Sequence, residues 1–223
     1  MHFSKTELKV LEQIALGKKQ VLEVARILNK DKSQIYRIIK NLEQKGFLSL
    51  KNKEIKYSEA THVQLLLQQL SRQSSFIEDI SGCGLKLYLY ILEIPKSIEE
   101  ITKATGIKPS TIFYKLNTAR KKSLIKTQDG KYKFNSKLWN RLNEFFIELK
   151  KYEETYDRRI PPGSVIYHKT KEDIIFSTKA EYDAALTGFS AYENYGIKIY
   201  SIDNNYYLPK KRLSKKEVFM HSI

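Results

Sequence analysis

The stretch KSQIYRIIKNLEQ (32–44) carries side chains suited to reading the polar edges of another molecule. Arg37 can present two parallel N–H donors to guanine, and Gln34 a donor–acceptor pair to adenine. Ser33 and Tyr36 offer hydroxyls to phosphate, and Lys40 offers a positive charge. Beyond it, Lys51, Lys53 and Lys56 line a short alternating segment. A second group of similar types follows: Ser110, Thr111, Tyr114, Lys115 and Thr118, with Phe113 and Asn117 among them and Lys131 further on. This is the chemistry of recognition, not of bond making. The histidines (His2, His62, His168, His221) are scattered, and neither a phosphate loop nor G-x-G-x-x-G occurs. Asp173, Asp183 and Asp203 share no metal-binding spacing, and Cys83 alone supports neither a disulfide framework nor a thiolate zinc site. No enzyme, cofactor or metal is expected.

The charge says what is recognised. The chain has 223 residues, 40 Lys+Arg against 25 Asp+Glu and a net charge of +15, which points to a polyanion. Residues 1–60 and 61–135 each hold a net +6, and the last 88 residues only +3. With 41% hydrophobic and 12% aromatic residues the chain is expected to be globular. No apolar run nears the ~20 residues that span a bilayer. The first residues lack a signal-peptide core, so a cytoplasmic protein without membrane contact is expected.

The two +6 segments are copies of one pattern. At an offset of 77, residues 24–58 fall in gapless register with 101–135, pairing Val24 with Ile101, Ile35 with Ile112, Ile39 with Leu116 and Tyr57 with Phe134. In the first copy a capping box, Ser4 with Glu7, opens a helix bearing Leu8, Leu11 and Ile14. A short helix with Val21, Val24, Ala25 and Leu28 follows. A third starts near Ser33 with Ile35, Ile38, Ile39 and Leu42 inward, and Gly46 ends it. FLSL and EIKYS then alternate about Lys51-Asn52-Lys53 as a hairpin. In the second copy Ser97 and Glu100 form a capping box, Gly106 sits in the inter-helix turn, Pro109 and Ser110 start the third helix, and QDGK supplies the hairpin turn.

Helix, helix, turn, helix and two-stranded wing resemble the winged helix-turn-helix family, in particular MarR- and ArsR-like regulators, on the pattern VARILNKDKSQIYRIIKNLEQKGFL. The second copy departs from it at Ala119, where leucine is expected, and at Ser123, where glycine is. The resemblance implies that the third helix enters the major groove of double-stranded DNA. Ser33, Gln34, Tyr36, Arg37 and Lys40 would then make the contacts with the wing lysines Lys51, Lys53 and Lys56. Ser110, Thr111, Tyr114, Lys115, Thr118 and Lys131 are their counterparts, although Phe113 and Tyr114 suit a protein contact equally well.

The expected fold class is α+β: winged helix 1 (1–60), a linker helix (61–79), winged helix 2 (80–135), an amphipathic helix (136–157) and a small C-terminal α+β module (158–223). Val63, Leu66, Leu67 and Leu70 form one stripe, and Leu138, Leu142, Phe145, Phe146, Leu149 and Tyr152 a broader one. MarR-like proteins dimerise through such helices, so a homodimer is expected. Residues 158–163 read as a break. After it come strands SVIYH and DIIFST, a helix from 179 to 195, and a hairpin of IKIYSI with NYYLPKK about 203–205. AALTGFSAYENYGIKIYSI weakly resembles winged-helix antitoxins of the abortive-infection class. Lys210-Lys211-Arg212 and Lys215-Lys216 make a basic cluster, and Ser214 with Glu217 caps a last helix. The reading that follows is a repressor-like transcription regulator. A plasmid or viral replication initiator is the alternative, or a scaffold that holds a protein partner through winged helix 2 or the C-terminal module.

Overall fold

The computed structural model describes residues 1–223 apart from Asn52, Lys53, Arg158 and Pro162, so the first wing's turn and parts of the 158–163 break lie outside the described residues. The chain divides into two compact units, 1–150 and 151–223.

In the first unit two helices, one opening on Ser4 and one on Ser97, start where the capping boxes predict. α1 (Lys5–Ala15) opens on Ser4, whose hydroxyl accepts from the Glu7 N–H while the Glu7 carboxylate accepts from the Ser4 N–H. Glu7 is buried, and its second oxygen takes the Lys45 ammonium at 2.5 Å. That contact ties the start of α1 to the end of α3 (Lys32–Gln44), with α2 (Val21–Ile27) between them. β1 (Leu48–Lys51) and β2 (Glu54–Tyr57) pair antiparallel as the wing, and the Ile55 N–H donates to the Lys19 carbonyl.

The offset of 77 persists in the backbone. After α6 (Gly84–Tyr90) and α7 (Ile98–Thr105), α8 (Pro109–Lys121) spans the positions equivalent to α3. β3 (Ile125–Gln128) and β4 (Lys131–Phe134) match β1 and β2, and Ile125 faces Phe134 as Leu48 faces Tyr57. Left-handed residues coincide as well: Asn29 with Gly106, and Gly46 with Ser123. Ser123 replaces glycine yet keeps φ at +56°, so the turn survives the substitution at some backbone strain. Ala119, smaller than the expected leucine, is fully buried.

The linking helices find their partners inside the unit. α4 (Thr61–Arg72) buries Val63, Leu66, Leu67 and Leu70 and packs on α1. Burial pushes the His62 imidazole down to about 4, and this neutral ring meets Phe47 edge-on at 5.2 Å. α9 (Asn140–Thr155) buries Leu142, Phe145, Phe146 and Leu149. Phe146 stacks on Tyr88 of α6 at 6.0 Å and meets Phe134 of β4 edge-on at 5.2 Å. The faces expected to hold a second copy are thus covered from within. Leu138 corrects one expectation: it lies in the turn before α9 and is 69% exposed. Trp139 takes the anchoring role, donating its indole N–H to the Lys122 carbonyl at 3.2 Å.

Between these parts, α5 (Ile77–Ile80) runs against the start of α6. A Cβ on Gly84 would lie 1.7 Å from the Asp79 carbonyl oxygen, a backbone atom that cannot step aside alone. Gly84→Ala should therefore destabilise the unit by about 1–3 kcal/mol or more through overpacking. Urea unfolding checks this, and an unchanged midpoint would contradict the close approach.

The second unit carries an antiparallel sheet in the order β5-β6-β8-β7, from β5 (Val165–Lys169), β6 (Ile174–Thr178), β7 (Ala185–Leu186) and β8 (Asn204–Leu208). Its core gathers Ile160, Ile174, Phe176, Ala184 and Tyr206. Desolvation works against the Asp157 carboxylate, but two bonds from the Arg159 guanidinium at 3.0 Å and the nearby Lys169 charge hold its pKa at about 2.

Two expectations fail in this unit. Residues 179–195 do not form one helix: Ala185 and Leu186 pair with β8, and Gly188, at φ +50°, turns the chain into a 3-10 run, Gly188–Tyr195. Residues 197–202 form no strand, because β8 is bonded to β6 on one edge and β7 on the other and has no edge left for a hairpin partner. Tyr200 is accordingly 95% exposed. The last helix, α10 (Lys215–Met220), starts on its Ser214–Glu217 capping box as expected. In the basic cluster, Lys210 is bonded to Asp183, and Lys211 to Glu217 at 2.8 Å.

Candidate nucleic-acid interface

α3 is built to show one face. Ile35, Ile39 and Leu42 are buried at helical spacing against the rest of the first winged segment. The opposite face leaves Ser33, Gln34, Arg37 and Lys40 exposed, with Tyr36 half-buried and the Lys32 ammonium 5.8 Å from its ring centre. These five expected contact residues share a surface that points away from the core. In the wing, Lys51 and Lys56 are exposed, with Lys51 opposite Glu54 and Lys56 opposite Ser49 across the hairpin. Lys53 lies outside the described residues.

The matching face of α8 is different. Ser110 and Tyr114 are exposed, Thr111 and Thr118 are half-buried, and Lys131 is exposed on the second hairpin. Lys115 turns back into the protein: its ammonium donates to the carbonyls of Glu78 (2.5 Å), Asp79 (3.2 Å) and Ser81 (3.1 Å). A lysine ammonium has three N–H donors, so these bonds use all of them. Burial lowers the Lys115 pKa, while the neighbouring Cys83, Asp79 and Glu78 oppose that shift. Lys122 donates to the Ser75 carbonyl at 2.7 Å and to the buried Asp79 carboxylate at 2.6 Å. Lys5, from α1, closes on Glu78 and with Lys115 holds that carboxyl below its ordinary pKa.

Sequence reasoning missed this anchoring of α8 through α5. A helix end leaves carbonyls that need donors, and 81–84 (SGCG) does mark a chain reversal. Nothing local says that Lys115, at the middle of α8, and Lys122, just past its end, supply those donors.

No helix among the described residues is long and apolar enough to cross a membrane, and no group of three or more metal-ligating side chains assembles among them. No curated protein and no solved structure matches the chain. Residues 1–70, which hold α1 to α3, the first wing and most of α4, match the family model described as TrmB, sugar-specific transcriptional regulator, which supports a winged-helix, DNA-binding transcriptional regulator.

Proposed function

We propose that the chain binds specific double-stranded DNA through α3 and the first wing and acts as a repressor-like transcription regulator. One observation carries the reading: Gln34 and Arg37, two side chains able to make paired hydrogen bonds to bases, stand exposed in the N-terminal half of a helix whose other face is locked by Ile35, Ile39 and Leu42. Ser33, Tyr36 and Lys40 hold phosphates beside them, and Lys51, Lys53 and Lys56 follow the backbone from the wing. Repression then follows from occupying a promoter against polymerase. Residues 80–135 are a second winged helix whose third helix braces the unit, since Lys115 is committed to α5. Ser110, Thr111, Tyr114 and Lys131 remain on its open side.

A replication initiator is the rival reading, favoured by the 77-residue correspondence of α3 with α8 and of the two hairpins. The selected site decides between them. A single or palindromic promoter site supports the regulator, and directly repeated sites at an origin support the initiator.

The test is selection of a duplex from a random pool, followed by a salt titration. Each phosphate neutralised adds about 0.9 to the slope of log affinity against log salt, so about four to five contacts give a slope near −4. A flat salt response, or no sequence enriched over the pool, overturns the reading.

A further inference from the structure

Basic residues that the reading of α3 leaves unused are connected across the first unit. At the N-terminal end of α3 a depression is lined by Gln34, Lys32, Lys30 and Arg26. Lys30 also borders a second depression, between the start of α1 and the end of α2, whose other charged walls are Lys5 and Lys9. Lys5 in turn borders a third, a cleft of about 370 Å³ between α5 and α8 that holds Lys121 and Lys122. The shared lysines, Lys30 and Lys5, place the three depressions side by side, a trough-like series from the exposed face of α3 past α1 to the C-terminal half of α8.

Its charge is unbalanced. Three carboxylates, Asp31, Glu78 and Asp79, border the trough, and two of them are already engaged by Lys5 and Lys122. Among the described residues no ion pair engages Arg26, Lys9, Lys30, Lys32 or Lys121. Lys115, with every donor used on α5 carbonyls and that of Ser81, adds charge to the cleft floor without offering a contact. Lys5 and Lys9 are one helical turn apart, about 6 Å along the axis, so α1 presents an evenly spaced pair. A low-lying surface of net positive charge that adjoins a base-reading helix is complementary to the phosphate backbone on either side of the bases that helix reads.

We propose that this trough binds the phosphate backbone of duplex DNA flanking the site read by α3, carrying the DNA along the start of α1 to α8; the proposal rests on α3 being the reading helix. The second winged segment then takes part in DNA binding through Lys121, at the edge of its third helix, and not by inserting that helix into a groove. Flanking DNA adds affinity without adding sequence preference, because the trough's basic side chains meet phosphates.

The test uses the full chain and two duplexes that share the selected site. One ends at the site, and the other extends it by about one helical turn, ten base pairs, on each side. The unchanged protein should bind the longer duplex at least ten times more tightly and with a steeper salt slope. Lys9→Gln combined with Lys121→Gln, both exposed positions, should remove about 0.9 per lysine, close to 2 in all, from the long-duplex slope. Binding of the short duplex should not change. Equal affinity and slope for the two duplexes, or a long-duplex slope untouched by the double substitution, overturns the trough while leaving α3 reading intact. Failure to bind even the short duplex removes the α3 reading and the trough with it. Should the double substitution weaken binding of polyglutamate and spare the long duplex, the trough faces an acidic protein and the proposal falls.

Discussion

Arg37→Ala combined with Gln34→Ala abolishes discrimination between the selected duplex and a scrambled one, while the folded protein and its unfolding midpoint stay as they were. Each paired contact to a base is worth about 1–3 kcal/mol of discrimination. Removing both costs about 2–6 kcal/mol, or roughly 30-fold to twenty-thousand-fold in affinity for the selected site at 1.4 kcal/mol per factor of ten. Binding to scrambled DNA should fall far less, by the one phosphate-facing charge that Arg37 can also supply. The fold should persist because both side chains are exposed, whereas Ile35, Ile39 and Leu42 hold α3 in place from its other face. Lys40→Ala is the informative control. Taking away a phosphate-facing charge at that position weakens binding of all sequences alike and lowers the salt slope by about 0.9. Competition binding with both duplexes measures the difference, and a double variant that keeps wild-type preference for the selected site removes Arg37 and Gln34 from the reading surface.

That surface was legible in the sequence because every requirement on it is local. A 3.6-residue apolar period and a glycine stop determine α3, and the period also determines which side chains face out. All three expected capping boxes form, at Ser4, Ser97 and Ser214, since each closes within one turn of its own helix. The offset of 77 survived even where identity failed, with Ser123 adopting the backbone turn that Gly46 adopts without strain. What the sequence did not disclose depends on distant partners. Lys115 has the spacing of a groove-facing residue, and only the approach of α5, permitted by Gly84, reveals the carbonyls it serves. In the second unit a plausible helical pattern at 179–195 gave way to pairing with β8. A plausible strand at 197–202 found both edges of β8 taken. Helical periods and alternation report how a segment would use a partner, not whether the partner is free.

The apolar faces of α4 and α9 raise the same issue for oligomeric state, and one substitution decides it. Phe146→Ala should destabilise the first unit by about 3–5 kcal/mol, the usual cost of truncating a buried phenylalanine. The ring is fully buried and lies against Tyr88, Phe134 and Phe145 at centroid distances of 6.0, 5.2 and 5.4 Å, so its removal loosens α6, β4 and α9 together. In a unit of this size each kcal/mol lowers Tm by about 2–4 °C, giving a fall of roughly 6–20 °C. If α9 were covered by a second copy, Tm of the unchanged protein would rise with protein concentration, because association stabilises by mass action. With the face covered by Tyr88 and Phe134 of the same chain, Tm should be independent of concentration before and after the substitution. Thermal unfolding over a hundredfold range of concentration separates the cases. A concentration-dependent Tm that becomes independent in the Phe146→Ala variant would assign the face to a dimer and remove the intramolecular account of α9.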